Sequence, residues 1–195
     1  MRFVSVDIEC NQPSGTIIQI GAVAWDTDRG EQDWFSVYVN PEEKINWDHM
    51  LSRGITLGEL LPFGQNRINN YGTAPLKAVS MFWEFVKEVE CSRRFLQWGG
   101  GDMEAIRKLS EMCGVAVPRY ETVDAKLIYK HLYMPAMRLP KQAGLHKACG
   151  AVLGEFVGLP HSALWDARNT AKVYAEMFKT LNKAKRAEQI FKEGR

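Results

Sequence analysis

The chain has 195 residues, 46% hydrophobic and 25% charged, which is the length and composition of one globular domain with its own core. No apolar run approaches the roughly 20 residues of a membrane span, and a formal net charge of +2 is too small to identify a nucleic-acid partner. The four cysteines form no C-x-x-C pair, so we expect free thiols in a cytoplasmic protein without membrane contact.

The first predicted element is a strand, RFVSVDIE, which carries two acids. Because side chains alternate faces along a strand, Asp7 and Glu9 share one face with Phe3, while Val4 and Val6 lie on the other. Two carboxylates on one face require a cation or open water beside them. A strand end frayed into solvent explains them equally well at this point.

Two further strands, TIIQIGAVAWD and DWFSVYVNP, follow the turns NQPSG and DTDRGEQD. Their short connections predict an antiparallel meander. Residues 41–75 show no clear period, and 64–73 are predicted to form an exposed loop. The spacing of apolar residues then predicts a helix over 76–90, followed by a short strand, RRFLQW.

The stretch WGGGDMEAI places Asp102 at a junction between a strand and a helix. The strand ends at Trp98, the glycines allow the backbone to turn, and Gly114 ends the helix. A helix N-cap is the simpler explanation of Asp102. The turn lacks the Lys-Ser/Thr of a phosphate-binding P-loop.

The remaining elements alternate between strand and helix. YETVDAKLIYKHLY predicts a short strand or turn and then a helix, KQAGLHKACGAVLG a short helix, and residues 162–191 a long one. This order predicts an α/β fold, a mixed sheet of about five strands flanked by helices. We assign residues 1–182 to the domain and 183–195 to a basic helical tail, which solvation explains better than phosphate binding.

The last helix carries Asp166, and His161 lies in the loop before it. Five residues within one ideal helix would set the two side chains about 140° apart, so His161 must reach any shared site from the loop. Small residues at four-residue spacing let this helix approach the sheet closely. They are Ala163, Ala167, Ala171 and Ala175.

Four acids from three separate segments have, together with His161, a specific chemical use: Asp7, Glu9, Asp102 and Asp166. Hard oxygen ligands favour Mg²⁺ or Mn²⁺. Two such ions roughly 3.5 to 4 Å apart activate a water and stabilise the leaving oxygen in phosphodiester cleavage. Asp7, the deeper acid of the first strand, is the candidate for the shared ligand.

Five stretches occur in the order and approximate spacing of the DEDDh branch of the 3′→5′ exonuclease superfamily, which the chain resembles over residues 2–180. They are VDIE, IIQIGAVAWD, YVNPEE, WGGGD and HSALWDARNTAKV. The most specific pattern is H-x-A-x-x-D-A, which begins at His161.

The resemblance implies an RNase H-like fold and two divalent cations, Mg²⁺ or Mn²⁺. Asp7 would bridge them, Glu9 and Asp166 would serve the ion that carries the attacking water, and Asp102 the other ion, partly through water. His161 would be the general base. The implied reaction removes nucleoside 5′-monophosphates from the 3′ end of single-stranded nucleic acid.

The WGGGD turn and Asn169 are most similar to the branch that includes histone-mRNA 3′-end exonucleases and their bacterial relatives, which favours RNA slightly over DNA. Cys10 and Asn11 depart from the Thr-Thr-Gly that often follows the first Glu, and Gln19 stands where many members have Glu. Both departures concern the contacts to the terminal nucleotide.

Two other functions compete with this interpretation. A non-catalytic nucleic-acid-binding or scaffold domain with the exonuclease fold would be expected to lack a metal ligand or the base, and none of the five positions is missing. An RNase H-type endonuclease would share the metal chemistry, but the pattern around His161 is typical of exonucleases.

Overall fold

The computed structural model describes residues 1–52, 68, 71–91, 93–139 and 144–193. The strands are β1 (Arg2–Cys10), β2 (Ile17–Asp26), β3 (Gly30–Tyr38), β4 (Arg94–Gln97) and β5 (Glu121–Asp124). The helices are α1 (Trp47–Ser52), α2 (Pro75–Glu88), α3 (Asp102–Met112), α4 (Ala125–Ile128), a π-helical turn (Tyr129–Tyr133), α5 (Met134–Met137), α6 (Leu145–Leu153) and α7 (Ala163–Glu193).

The strands form one sheet in the order β3-β2-β1-β4-β5. β1, β2 and β3 are antiparallel neighbours, whereas β4 runs parallel to β1 and β5 parallel to β4. The predicted mixed sheet of five strands is therefore confirmed. Because the carboxyl ends of parallel strands meet at one edge, residues at the end of β1 and just after β4 are brought together there.

The structure differs from the prediction at the start of β3 and in the loop predicted over 64–73. β3 begins at Gly30, three residues before the predicted strand, because Asp26 closes a tighter turn: its Oδ1 accepts hydrogen bonds from the backbone N–H groups of Asp28 and Arg29. Most of the exposed loop predicted over 64–73 lies outside the described residues. Ile68 is buried, which contradicts that prediction at its own position.

One face of the sheet is covered by α2 and α3. Val4 and Val6 of β1 lie in a cluster with Phe82 and Phe85 of α2 and Ile106 of α3. These β1 residues belong to the face opposite Asp7 and Glu9, as the alternation predicts. The acids therefore face away from the largest apolar cluster.

The other face is covered by α7. Three alanines of its row pack against Phe3, Val23 and Leu96 of the sheet. All four members of the row are buried, as predicted: Ala163, Ala167, Ala171 and Ala175. A Cβ atom at Gly21 of β2 would overlap the backbone of Ala163 and Leu164. The first turn of α7 thus lies directly on the backbone of β2, which fixes the height of this helix above the sheet.

α7 continues without a break across residue 182, where the sequence analysis places the start of the tail. The boundary itself stays a prediction. No helix in the described part of the chain is both long enough and apolar enough to cross a bilayer.

Candidate metal centre

Asp7 and Glu9 lie near the carboxyl end of β1, on the face covered by α7. In the register between the strands, Asp7 pairs with Gly21 and Glu9 with Gln19. Glu9 is buried, with 7% of its surface exposed. The alternative of a frayed strand end is therefore wrong, since β1 stays paired through Cys10.

Asp102 is the first residue of α3, one position after the N-cap. Gly101 takes the N-cap position with φ +119° and has no side chain that could cap this helix. The N-cap explanation of Asp102 is therefore wrong, and its carboxylate is not used by the helix start. Gln97, the last residue of β4, satisfies a donor in the first turn of α3 instead. Its Oε1 accepts a hydrogen bond from the N–H of Met103 at 3.2 Å.

Asp166 lies in the first turn of α7, and His161 precedes that helix in the loop. The carboxylate of Asp166 accepts a hydrogen bond from the backbone N–H of His161, whose φ is +60°. One ligand atom each of Glu9, His161 and Asp166 lie within 4.8 Å of one another. His161 thus reaches the acids from the loop, as the five-residue spacing predicts.

Asn169 ties the loop before His161 to α7. Its side chain is fully buried. Its Nδ2 donates to the carbonyl oxygens of Val157 at 2.8 Å and Trp165 at 2.7 Å, and its Oδ1 accepts from the N–H of Val157 at 3.1 Å. Gly158 follows Val157 so close to the indole of Trp165 that a Cβ there would overlap the ring.

Burial and mutual repulsion raise the pKa of the two acids on β1. The pKa of Asp7 lies well above its ordinary value because of burial and then the charges of Asp166, Asp102 and Glu9. Burial raises the pKa of Glu9 to about 8, with further contributions from Asp166 and Asp102. Each effect acts against the ionised form of a carboxyl group.

The two acids on helices are shifted in the same direction. Burial raises the pKa of Asp102 to about 7, and the charge of Asp124 adds to the shift. Burial also raises the pKa of Asp166 to about 7, although the N–H of His161 acts in the opposite direction. A divalent cation would offset the repulsion among these carboxylates when they are ionised, so the cluster favours cation binding.

The donor set fits small hard cations. Among the described residues, Glu9, Asp166 and an imidazole place ligand atoms close enough together for one ion, and the charges of Asp7 and Asp102 act on the same acids. Oxygen ligands of this kind suit Mg²⁺ or Mn²⁺. The centre draws on β1, the turn after β4 and the start of α7, which the topology brings to one edge of the sheet.

The departures from the family pattern have structural roles beside the centre. Asn11 is buried, donates from Nδ2 to Glu43 Oε1 at 2.7 Å, and accepts from the N–H of Asn46 at 3.0 Å. It therefore ties the end of β1 to the segment that follows β3. Gln19 accepts from the N–H of Ala163 at 3.0 Å and so satisfies a free donor at the start of α7. Burial and the nearby acids raise the pKa of the Cys10 thiol to about 12.

Asp124, which is not among the predicted site residues, supports the turn that carries Asp102. Its Oδ1 accepts from the N–H of Gly99 and from the N–H of Leu127, both at 3.1 Å. It thereby joins the glycine turn before Asp102 to the start of α4. The available signal was its place directly before a helical pattern, where Asp is a preferred N-cap.

A family model described as Exonuclease matches residues 4–174 of the chain. No curated protein matches it in sequence. The solved structure of the nuclease domain of 3′hExo, a DEDDh family member bound to rAMP, is 19% identical with a TM-score of 0.70, covering 92% of this chain and 92% of that one.

Two further structures are similar. One concerns 3′-end-specific recognition of the histone mRNA stem-loop by a 3′-exonuclease. It is 18% identical in sequence with a TM-score of 0.70, covering 92% of this chain and 82% of that one. The other is S. pombe Pop2p with Mg²⁺ and Mn²⁺ bound, 15% identical, with a TM-score of 0.58 over 89% of this chain and 82% of that one. At these identities the likeness establishes the RNase H-like fold.

Proposed function

Because the chain belongs to the exonuclease family, we propose that it is a metal-dependent 3′→5′ exonuclease that releases nucleoside 5′-monophosphates from single-stranded nucleic acid. Its membership confirms the resemblance to the DEDDh superfamily. The observation that carries the proposal is the convergence of four acids with raised pKa values beside an imidazole.

In the proposed site, Asp7, Glu9 and Asp166 would hold the divalent cation, Mg²⁺ or Mn²⁺, that carries the attacking water. Asp7 would also serve a second such cation, which Asp102 would hold partly through water. When bound, such ions lower the pKa of a water and stabilise the leaving oxygen of the phosphodiester. The chain's own contribution is to hold these carboxylates on three rigid elements, so that little reorganisation is needed during the reaction.

His161 is proposed to accept the proton of the attacking water at a ring nitrogen. Its ring lies within 4.8 Å of carboxylate oxygens of Glu9 and Asp166, and the residue is exposed, so that a proton can pass on to solvent. Imidazole is suited to this role because it exchanges protons near neutral pH. We assign His161 as a base and not as a ligand because hard cations prefer the carboxylates.

We propose RNA as the preferred substrate over DNA. The support is the pattern of the WGGGD turn and Asn169, together with two similar structures, one of which holds rAMP while the other concerns a histone mRNA stem-loop. We further propose a cytoplasmic location, supported by four cysteines that are all free thiols, and a catalytic domain over residues 1–182 with a basic tail after it.

The test is digestion of matched single-stranded RNA and DNA oligonucleotides that carry a 5′ label, with Mg²⁺, Mn²⁺ or a chelator. We expect a ladder that shortens one nucleotide at a time from the 3′ end, only with a divalent metal, and nucleoside 5′-monophosphates as products. RNA should be degraded faster than DNA.

Oligonucleotides with a blocked 3′ end are the matched control and should resist the enzyme. Internal cuts on the blocked strands would indicate an RNase H-type endonuclease. Binding without cleavage under every metal condition would indicate the non-catalytic alternative.

A further inference from the structure

A basic cavity lies at the edge of the sheet opposite the acids. It has a volume of about 460 Å³, and its lining residues are Arg93, Arg94, Arg119, Tyr120 and Glu121. Arg94 and Glu121 begin β4 and β5, whereas the candidate metal centre lies beyond the ends of these parallel strands. β4 alone separates the two places by roughly 10 Å, at about 3.3 Å per residue.

The arginines in this cavity are weakly compensated. Arg93 and Arg119 are exposed, and among the described residues neither guanidinium forms an ion pair. Arg94 lies 3.7 Å from Glu121, whose side chain is 76% exposed. Solvent-exposed pairs of this length contribute little, so an incoming anion can take the place of the carboxylate.

A second, largely apolar cavity of about 400 Å³ adjoins the first and shares Arg93 with it. Pro118 and the buried rings of Trp83 and Phe95 line it, together with two charged side chains, Lys87 and Glu90. A largely apolar cavity suits a nucleobase, and a guanidinium fork suits a phosphate. The two cavities side by side match the alternation of base and phosphate along a nucleic-acid strand.

We propose that the two cavities form an accessory binding site for single-stranded nucleic acid, with phosphates on Arg93, Arg94 and Arg119 and a base in the apolar cavity. The identity of this strand as the substrate rests on the proposed function. A strand held there while its 3′ end occupies the metal centre gains affinity because the second interaction is intramolecular. The accessory site would therefore increase the affinity for long substrates and leave the affinity for short ones unchanged.

The first experiment measures binding without hydrolysis. A fluorescent single strand longer than the roughly 4–16 nucleotides of a typical single-strand site is titrated in chelator, over a series of salt concentrations, with wild type and with Arg93→Gln/Arg119→Gln. We expect roughly tenfold weaker binding for the variant at low salt. The negative slope of log K against log salt should become shallower by about 1.4, at roughly 0.7 for each phosphate that the variant no longer neutralises.

The matched control is Lys77→Gln/Lys130→Gln, which removes the same charge from exposed positions outside both cavities. It should leave the affinity and the salt slope close to those of wild type. Equal losses in both double variants would overturn the proposal, because the effect would then be one of net charge. Arginine-dependent binding of poly-glutamate as tight as that of the strand would overturn it in favour of an acidic protein partner.

The second experiment compares degradation of the long strand with that of a dinucleotide. Arg93→Gln/Arg119→Gln should raise KM for the long strand by roughly tenfold and leave kcat/KM for the dinucleotide unchanged. Equal effects on both substrates would overturn the proposal. If wild type binds the strand through these arginines but hydrolyses nothing, the proposed exonuclease activity fails while the accessory site stands.

Discussion

Asp7 is the acid whose ionisation is opposed by the charges of the other three acids of the candidate metal centre. Its pKa is raised by the other three acids in addition to burial, and its partner in the neighbouring strand is a glycine that leaves no side chain beside it. In the absence of cations, ionised Asp7 destabilises the fold, whereas in the proposed site it would bind both cations. Catalysis and metal-free stability should therefore respond to its replacement in opposite directions.

We expect Asp7→Asn to lose hydrolysis to the background rate, because a neutral amide cannot bridge two cations. The same change should raise the Tm of the metal-free protein at pH 8 by a few degrees, because the repulsion is removed. Thermal unfolding in chelator and the oligonucleotide ladder measure the two effects. Asp28→Asn, the same change at an exposed turn, should alter neither, and turnover retained in Asp7→Asn would contradict the assignment.

His161→Ala should slow the chemical step by roughly 10² to 10⁴-fold, the usual size of general-base catalysis. Metal binding should survive, since the four carboxylates remain. Single-turnover kinetics measure the first effect and a Mn²⁺ titration of the protein the second. His131→Ala changes an exposed histidine on the π-helical turn and serves as the control. An undiminished rate in His161→Ala would show that another group accepts the proton.

Asn169 should act through His161, because its three hydrogen bonds fix the loop that carries this histidine. Asn169→Ala is expected to lower the free energy of unfolding by about 2–3 kcal/mol and kcat by roughly tenfold. A double-mutant cycle separates the two effects. In a His161→Ala background, Asn169→Ala should still destabilise the protein but leave kcat nearly unchanged. A full additional loss of kcat would show that Asn169 serves the site by another route.

At the scale of elements, the sequence predicts the features that follow from the regular spacing of residues along one strand or helix. The alternation in β1 correctly places Asp7 and Glu9 opposite the apolar face, and the alanine row correctly predicts close contact of α7 with the sheet. Contacts between distant segments were not predictable. No local pattern shows that Gln19 caps a helix that begins 144 residues later, or that Asp102 does not cap its own helix.

Gly21 tests how closely α7 must approach the sheet. Gly21→Ala should lower the free energy of unfolding by about 2 kcal/mol or more, because the new methyl group would overlap the backbone of α7. It should also reduce activity, since Asp166 and His161 shift together with this helix. Urea unfolding and the oligonucleotide ladder measure both. Gly150→Ala adds a methyl group in open space on α6 and should be neutral or stabilising by up to about 1 kcal/mol.

At the scale of the whole molecule, the acids couple stability to pH. The pKa of Glu9 is raised to about 8, and those of Asp102 and Asp166 to about 7, from ordinary values near 4. Between these limits the folded protein holds more protons than the unfolded chain, so stability falls as pH rises. This contribution is complete below about pH 4 and is lost above about pH 8.

We therefore expect the Tm of the metal-free protein to fall between pH 5 and pH 8. Saturating Mn²⁺ should raise it again, more at pH 8 than at pH 5, because ions bind the ionised carboxylates. Differential scanning calorimetry with chelator or Mn²⁺ provides the measurement, and Asp7→Asn should flatten the metal-free profile. A metal-free Tm that rises steadily from pH 5 to pH 8 would contradict the electrostatic account.

The centre takes Asp7 and Glu9 from the first strand and His161 and Asp166 from the start of the last helix. A nascent chain emerging from the ribosome, N-terminal part first, therefore holds only a fraction of the ligands until the start of α7 has left the exit tunnel. Arrested or prematurely released translation products that stop before His161 lack this imidazole and the carboxylate of Asp166. If the complete chain degrades RNA as proposed, such unfinished copies would not attack the RNA of the cell that makes them.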